Sequence, residues 1–177
     1  MAVLVEAISV IVRRSAVDAR FPGRWPAFAA AAPNRTLCSD GEIARVGFMS
    51  PADAESFVRT LERAGLTHLD GGKAVDLVVV DQMSGPASPS GWLEFGHVEL
   101  TSSGGKVAAC RLAGSRVASI MLPEGWEYEG SLSHTYGFIP AGEVDKSLEF
   151  LRHENGVDVF LNRLTGQEVY IGRTGEA

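Results

Sequence analysis

The sequence predicts an α+β fold, with a mixed or mostly antiparallel sheet and two or three amphipathic helices. Three observations carry this. Val3 to Val12 is rich in β-branched residues and reads as a central strand. Pro51 to Ala64 reads as an amphipathic helix. Val75 to Val80 reads as a strand buried on both faces.

The remaining elements follow from local chemistry. After the first strand, Ser15 to Asp18 can start a helical turn, which Phe21 to Pro26 interrupts. Pro26 to Ala32 then reads as a short alanine-rich helix ending before Pro33. Leu37 to Met49 reads as a hairpin turning at Ser39-Asp40-Gly41. The helix that follows has Ser50 as a capping residue, Pro51 at its first position and Asp53 in its first turn. Ala54, Phe57, Val58 and Leu61 recur at helical spacing, and Gly65 stands where a helix stops. The first half therefore reads β-α-β-β-α-β, the order of ferredoxin-like domains. That is an analogy of topology and carries no function.

Ser84 to Gly91 is rich in serine, proline and glycine and is the expected internal boundary. It divides an α/β half, residues 1–83, from a β-rich half with one helix, residues 92–177. The two are expected to pack as one globular unit. In the second half Trp92–Leu100, Lys106–Leu112 and Arg116–Leu122 read as strands, the last two pairing through Ala113-Gly114-Ser115. Glu143 to His153 reads as a second amphipathic helix, with Val144, Leu148 and Leu151 on one face. Val157–Leu161 and Glu168–Ile171 read as a terminal hairpin. Gly47-Phe48-Met49 before one helix and Gly137-Phe138-Ile139 before the other give a faint echo, as two related halves would.

Composition narrows the function classes. The chain has 177 residues, 45% of them hydrophobic and 21% charged, which excludes a disordered, collagen-like or coiled-coil chain. With 16 basic and 22 acidic residues the net charge is -6, the wrong sign for a non-specific grip on nucleic acid. Met1 to Val12 is apolar except for Glu6 and Ser9, and Arg13 and Arg14 come after it. A signal peptide places its positive charge before the apolar core. No stretch reaches the ~20 apolar residues of a membrane span. The expected setting is the cytoplasm, without membrane contact, and the Asn34-Arg35-Thr36 sequon reads as a chance match.

The motif search yields little. There is no P-loop, no dinucleotide-binding glycine fingerprint, no G-x-S-x-G elbow and no C-x-x-C pair. Gly71-Gly72-Lys73 reads as a turn rather than a phosphate cradle. His97-Val98-Glu99 has the H-x-E spacing of zinc deaminases but lacks their P-C-x-x-C segment. On a strand, Leu93, Phe95, His97 and Glu99 share one face, the first two in the core and the last two at its rim. Cys38 and Cys110 read as small buried residues. No catalytic residue, metal or cofactor is implied.

Charge patterning is the most informative signal. Between Arg13 and Arg35 stand five arginines and Asp18, a local charge of +4. Between Met121 and Phe150 stand six acids and Lys146, a local charge of -5. That second stretch interleaves Trp126, Tyr128, Tyr136 and Phe138 with Glu124, Glu127 and Glu129. Aromatic side chains supply contact area, and surrounding acids steer a basic partner. The expected function is a non-enzymatic binding module that uses this loop, residues 121–150, against a basic protein. An inhibitor or immunity-type protein is one concrete form. Two alternatives stand beside it. A small-molecule-sensing domain would bind its ligand near Asp81, Trp92, His97 and Glu99, since ligands in α/β sheets sit beyond strand ends. A small hydrolase or transferase would use His97 or His134 with Glu99 or Asp81.

Overall fold

A computed structural model describes residues 1–100, 105–116, 119–135, 148–154, 157–162 and 168–172. The opening apolar run is two strands, not one. β1 (Ala2–Val5) and β2 (Ile8–Arg13) are separated at Glu6-Ala7, where Ala7 takes a left-handed φ of 45°. For alanine that conformation is strained. Gln82 holds it from both sides: its Oε1 accepts the Ala7 N–H (2.9 Å), and its own N–H donates to the Ala7 carbonyl (2.8 Å). The bend sends β1 and β2 into different sheets.

Two helices follow β2, α1 (Arg14–Arg20) and α2 (Arg24–Ala31). The hairpin of β3 (Cys38–Ser39) and β4 (Ile43–Phe48) turns at Asp40, whose Oδ1 accepts the N–H groups of Glu42 and Ile43. Next comes α3 (Pro51–Arg63), with Ala54, Phe57, Val58 and Leu61 buried, as their spacing predicts. Ser50 occupies the N-cap position, but its side chain makes no capping bond. Pro51 and the Ala54 N–H to Ser50 carbonyl bond (3.2 Å) start the helix instead.

Between α3 and the next long strand lies a small hairpin, β5 (Leu69–Asp70) and β6 (Lys73–Ala74). Gly71 and Gly72 form its two-residue turn with φ of 54° and 77°, the left-handed pair such a turn requires. The expected strand at Val75 starts later, as β7 (Leu77–Asp81). Asp76 breaks the apolar run. It is 1% exposed, receives the Thr67 N–H (2.7 Å) and is ion-paired with Arg20.

The fold is α+β, with antiparallel and mixed sheets. The five-stranded sheet runs β3-β4-β2-β7-β8, where β8 is Gly85–Pro86, and every neighbouring pair is antiparallel. The four-stranded sheet comprises β1 with β9 (Leu93–Glu99), β10 (Lys106–Leu112) and β11 (Ile120–Met121), in the order β11-β1-β10-β9. The expected boundary at Ser84–Gly91 therefore does not divide the sheets: β1 belongs with strands from beyond it. The strand expected over Arg116–Leu122 is reduced to β11 among the described residues. It pairs in parallel with β1, not with β10. An apolar, fully buried β1 requires a partner on both edges, and β10 and β11 supply them.

Alternation explains the layers. Val10, Val12, Ala44, Val46 and Leu77 face α1, α2 and α3 in one core. Ile11, Ile43, Val78 and Val80 face the other way, against Val3, Val5, Leu93, Ala108 and Cys110 of the four-stranded sheet. The five-stranded sheet is thus covered on both faces, which is why its strands read as apolar runs. Leu61 lies wholly inside the helix-side core. Leu61→Ala is expected to cost ~2–5 kcal/mol in chemical denaturation; a cost under ~0.5 kcal/mol, typical of surface positions, would contradict this packing.

The helix expected over Glu143–His153 is a second correction. Leu148–Glu154 form strand β12, in a three-stranded antiparallel sheet with β13 (Val157–Asn162) and β14 (Glu168–Gly172). The register slips between Phe150 and Arg152. Leu151 is 40% exposed, so its spacing from Leu148 does not mark the buried stripe of a helix. The echo of a duplicated half loses its basis, since its second helix is a strand; residues 143–147 lie outside the described set. Among the described residues no helix is long and apolar enough to cross a membrane.

Candidate functional site

The site is built on polar residues at positions that alternation assigns to the core. Ile43 faces the four-stranded sheet, so Arg45 and Gly47, two and four residues on, share that face. Arg45 is 3% exposed. Its Nε donates to Ser9 Oγ (3.0 Å), Nη2 to the Glu6 carbonyl (3.2 Å) and Nη1 to the Thr36 carbonyl (3.3 Å). Burial pulls the guanidinium below its usual value, opposed by Cys38 and Glu6. Gly47 makes room for it: a Cβ there would stand 2.3 Å from the Arg45 Nη2.

Glu6, at the bend between β1 and β2, is the second buried ion, 8% exposed. Its Oε2 accepts the Trp126 indole N–H (2.9 Å), and its Oε1 accepts both the N–H (3.0 Å) and the hydroxyl (2.8 Å) of Ser133. A buried carboxylate satisfied by three donors is a strong anchor. It ties residues 121–135 to the junction of the two sheets. Ser131 caps the short helix α4 (Leu132–Thr135), its hydroxyl accepting the His134 N–H (3.2 Å).

The result is a cleft of about 480 Å³. The buried Glu6 and Arg45 line it, together with Asn34 and Thr36 from before β4 and Pro123 and Trp126 from after β11. Asn34 is fixed there, its amide donating to the Gly47 carbonyl (2.8 Å) and its Oδ1 accepting the Thr36 N–H (3.0 Å). The sequon residues thus line the cleft.

The residues of the acidic aromatic loop divide in a consistent way. Trp126 and Tyr128 are half-buried, while Glu124, Glu127 and Glu129 are exposed. The Trp126 and Tyr128 rings meet edge to face at 6.4 Å, and Tyr128 meets His134 at 5.2 Å. Tyr128 also lies so close over Gly105 that a Cβ there would stand 2.1 Å from the ring. Tyr136 lies outside the described residues. The arginines of residues 13–35 are largely spent on the fold. Arg14 pairs with Asp18 (3.0 Å) and lies over Trp25 (4.0 Å), Arg20 pairs with Asp76, and Arg13 lies over Trp92 (5.7 Å).

The four residues of the alternative ligand site are not gathered together. Asp81 Oδ1 accepts the N–H groups of Met83 (2.9 Å) and Ser84 (2.8 Å), closing a turn. The Trp92 indole donates to the Ala74 carbonyl (3.1 Å). His97 and Glu99 line a separate depression of about 640 Å³ along β9 and β10, to which neither Asp81 nor Trp92 contributes. Burial, then Lys106, lowers the His97 pKa. The thiols are buried, and burial pushes Cys38 up to about 11 and Cys110 to about 12, leaving both protonated at neutral pH. Among the described residues no group of three or more His, Cys, Asp or Glu side chains is placed to hold a metal ion.

Sequence reasoning missed Glu6, Arg45 and Ser133 as parts of the site. The signal for the first two was present: an ionisable residue inside an otherwise apolar strand is seldom there without a partner. No family model, curated protein or solved structure matches this chain.

Proposed function

We propose that the protein is a non-enzymatic binding module that engages a basic protein through residues 121–135. An inhibitor or immunity-type role is the concrete form we favour. One observation carries the reading: Trp126 and Tyr128 are half-buried among exposed Glu124, Glu127 and Glu129, with Trp126 held from behind by Glu6. Aromatic side chains fixed in place, with exposed carboxylates next to them in the chain, suit a desolvated anchor with electrostatic steering. A cytoplasmic setting without nucleic acid is part of this reading, and two free buried cysteines suit a reducing compartment.

The test compares the wild-type chain with a Glu124→Gln, Glu127→Gln, Glu129→Gln triple variant, each used as bait in an extract of the source cells. A basic protein captured by the wild type should associate more slowly with the triple variant. The difference should shrink as salt rises, because the Debye length falls from ~30 Å at 0.01 M to ~10 Å at 0.1 M. The fold should be unchanged, since exposed carboxylates contribute little to stability. Identical capture by both baits, at identical rates, would overturn the reading.

A further inference from the structure

The cleft does not end at Phe48 and Met49. A second hollow of about 380 Å³ lies beside it, against α3, and the two share Asn34, Phe48 and Asp53 as lining residues. The second is lined further by Pro33, Phe57 and Thr60. The two hollows adjoin along these residues and make a groove, with Trp126 in the first and Ser56 and Thr60 of α3 in the second.

Its charge is informative once the buried ions are set aside. Glu6 and Arg45 are buried, with their polar atoms turned to Trp126, Ser133, Ser9 and Thr36. Among the described residues, the charged side chains left to meet an occupant are Asp53, Glu124 and Arg35, all exposed. Asp53 stands at the junction and lines both hollows. The other described lining residues are apolar or small and polar, and Trp126 lines the same hollow as Asp53 and Glu124. An acid that lines both hollows and an indole in one of them match the guanidinium of an arginine, which pairs with a carboxylate and stacks on an aromatic face.

We infer that the groove holds an extended segment of the basic partner, with one arginine side chain seated between Asp53 and Trp126. This rests on the basic-partner reading above and names the part of the partner that enters. The outer Glu127 and Glu129 steer the partner's approach, whereas Asp53 and Trp126 hold it. Arg35 opposes the incoming cation.

Synthetic peptides test this. A fluorescein-labelled glycine-serine nonapeptide with two arginines is titrated by anisotropy, beside versions with two glutamates and two alanines. The arginine peptide should bind and the other two should not. Asp53→Asn should weaken binding about three- to tenfold, Asp53→Glu should restore it, and Arg35→Gln should tighten it about two- to threefold. Circular dichroism of each variant reports whether α3 is intact. If Glu127→Gln with Glu129→Gln abolishes binding while Asp53→Asn leaves it unchanged, the peptide sits on the outer glutamates. The groove inference is then overturned although the basic-partner reading stands. Equal binding of all three peptides, or none up to about 1 mM, also overturns it; the capture experiment with the folded partner decides the broader reading separately.

Discussion

Phe28→Ala is expected to destabilise the protein by ~3–5 kcal/mol. Phe28 is fully buried at the heart of an aromatic cluster. Its ring meets Phe21 edge to face at 5.7 Å, stacks on Trp25 at 5.4 Å and tilts against Phe57 at 6.4 Å. Truncation opens a cavity where α2 meets α1 and α3, which the surrounding rings can fill only in part. Urea unfolding should show a lower midpoint with an unchanged slope. Leu69, which is 44% exposed, serves as the control, and its truncation should lie within ~0.5 kcal/mol of the wild type. Equal losses at the two positions would mean that α2 is not packed as described.

Glu6→Ala should produce the second large effect, local to the site. The substitution leaves the Trp126 indole, the Ser133 amide and the Ser133 hydroxyl without their acceptor. Each buried group left unpaired costs ~1–3 kcal/mol. The nearest relief is release of residues 121–135 from the sheet junction. Amide exchange there should accelerate by at least about tenfold, at 1.4 kcal/mol per factor of ten, while exchange in β2 and β4 stays slow. Glu6→Gln should behave almost as badly. Its amide offers one oxygen where two are used, and its NH₂ would face another donor. Unchanged exchange at Ser133 in both variants would show that Glu6 does not anchor the segment. A variant that releases the segment should also bind a basic partner more weakly, through faster dissociation, because Trp126 is no longer held in place.

These two positions mark how much could be read from the sequence. The helix containing Leu61 was fully legible, because proline at its start, glycine past its end and a 3.6-residue apolar period all agree. The α+β class followed from the same kind of consistency. The apolar run before Arg13 hid its bend because the break falls on Ala7, a residue with no turn signature. What permits that left-handed conformation is Gln82, about seventy-five positions away. The strand β12 was misread because Leu148 and Leu151 stand at a spacing that also fits a helix, and so short an apolar segment does not separate the two by periodicity alone. At the site, the exposed glutamates and half-buried aromatics of residues 124–129 were visible as a composition. Their attachment was not: the Glu6 to Ser133 contact spans 127 positions, and no local pattern reports a pairing of that range. Charge runs also misled in part. The arginines before Arg35 look like a basic patch, yet several are held by Asp18, Asp76, Trp25 and Trp92.

The bend at Ala7 imposes an order on folding during synthesis. The five-stranded sheet and its three helices are complete once residues 8–86 exist. β1 must wait, since Val3, Leu4 and Val5 pair with Cys110, Ala109 and Ala108. At about 5–20 residues per second, the chain takes roughly one to several seconds after residue 86 to reach the strand that pairs with β1. Pairings so distant along the chain are slow to form, because loop-closure entropy comes before any reward from contact. Residues 2–5 are therefore where a chaperone would find the nascent chain most open to capture, and where an edge-to-edge misassembly would begin.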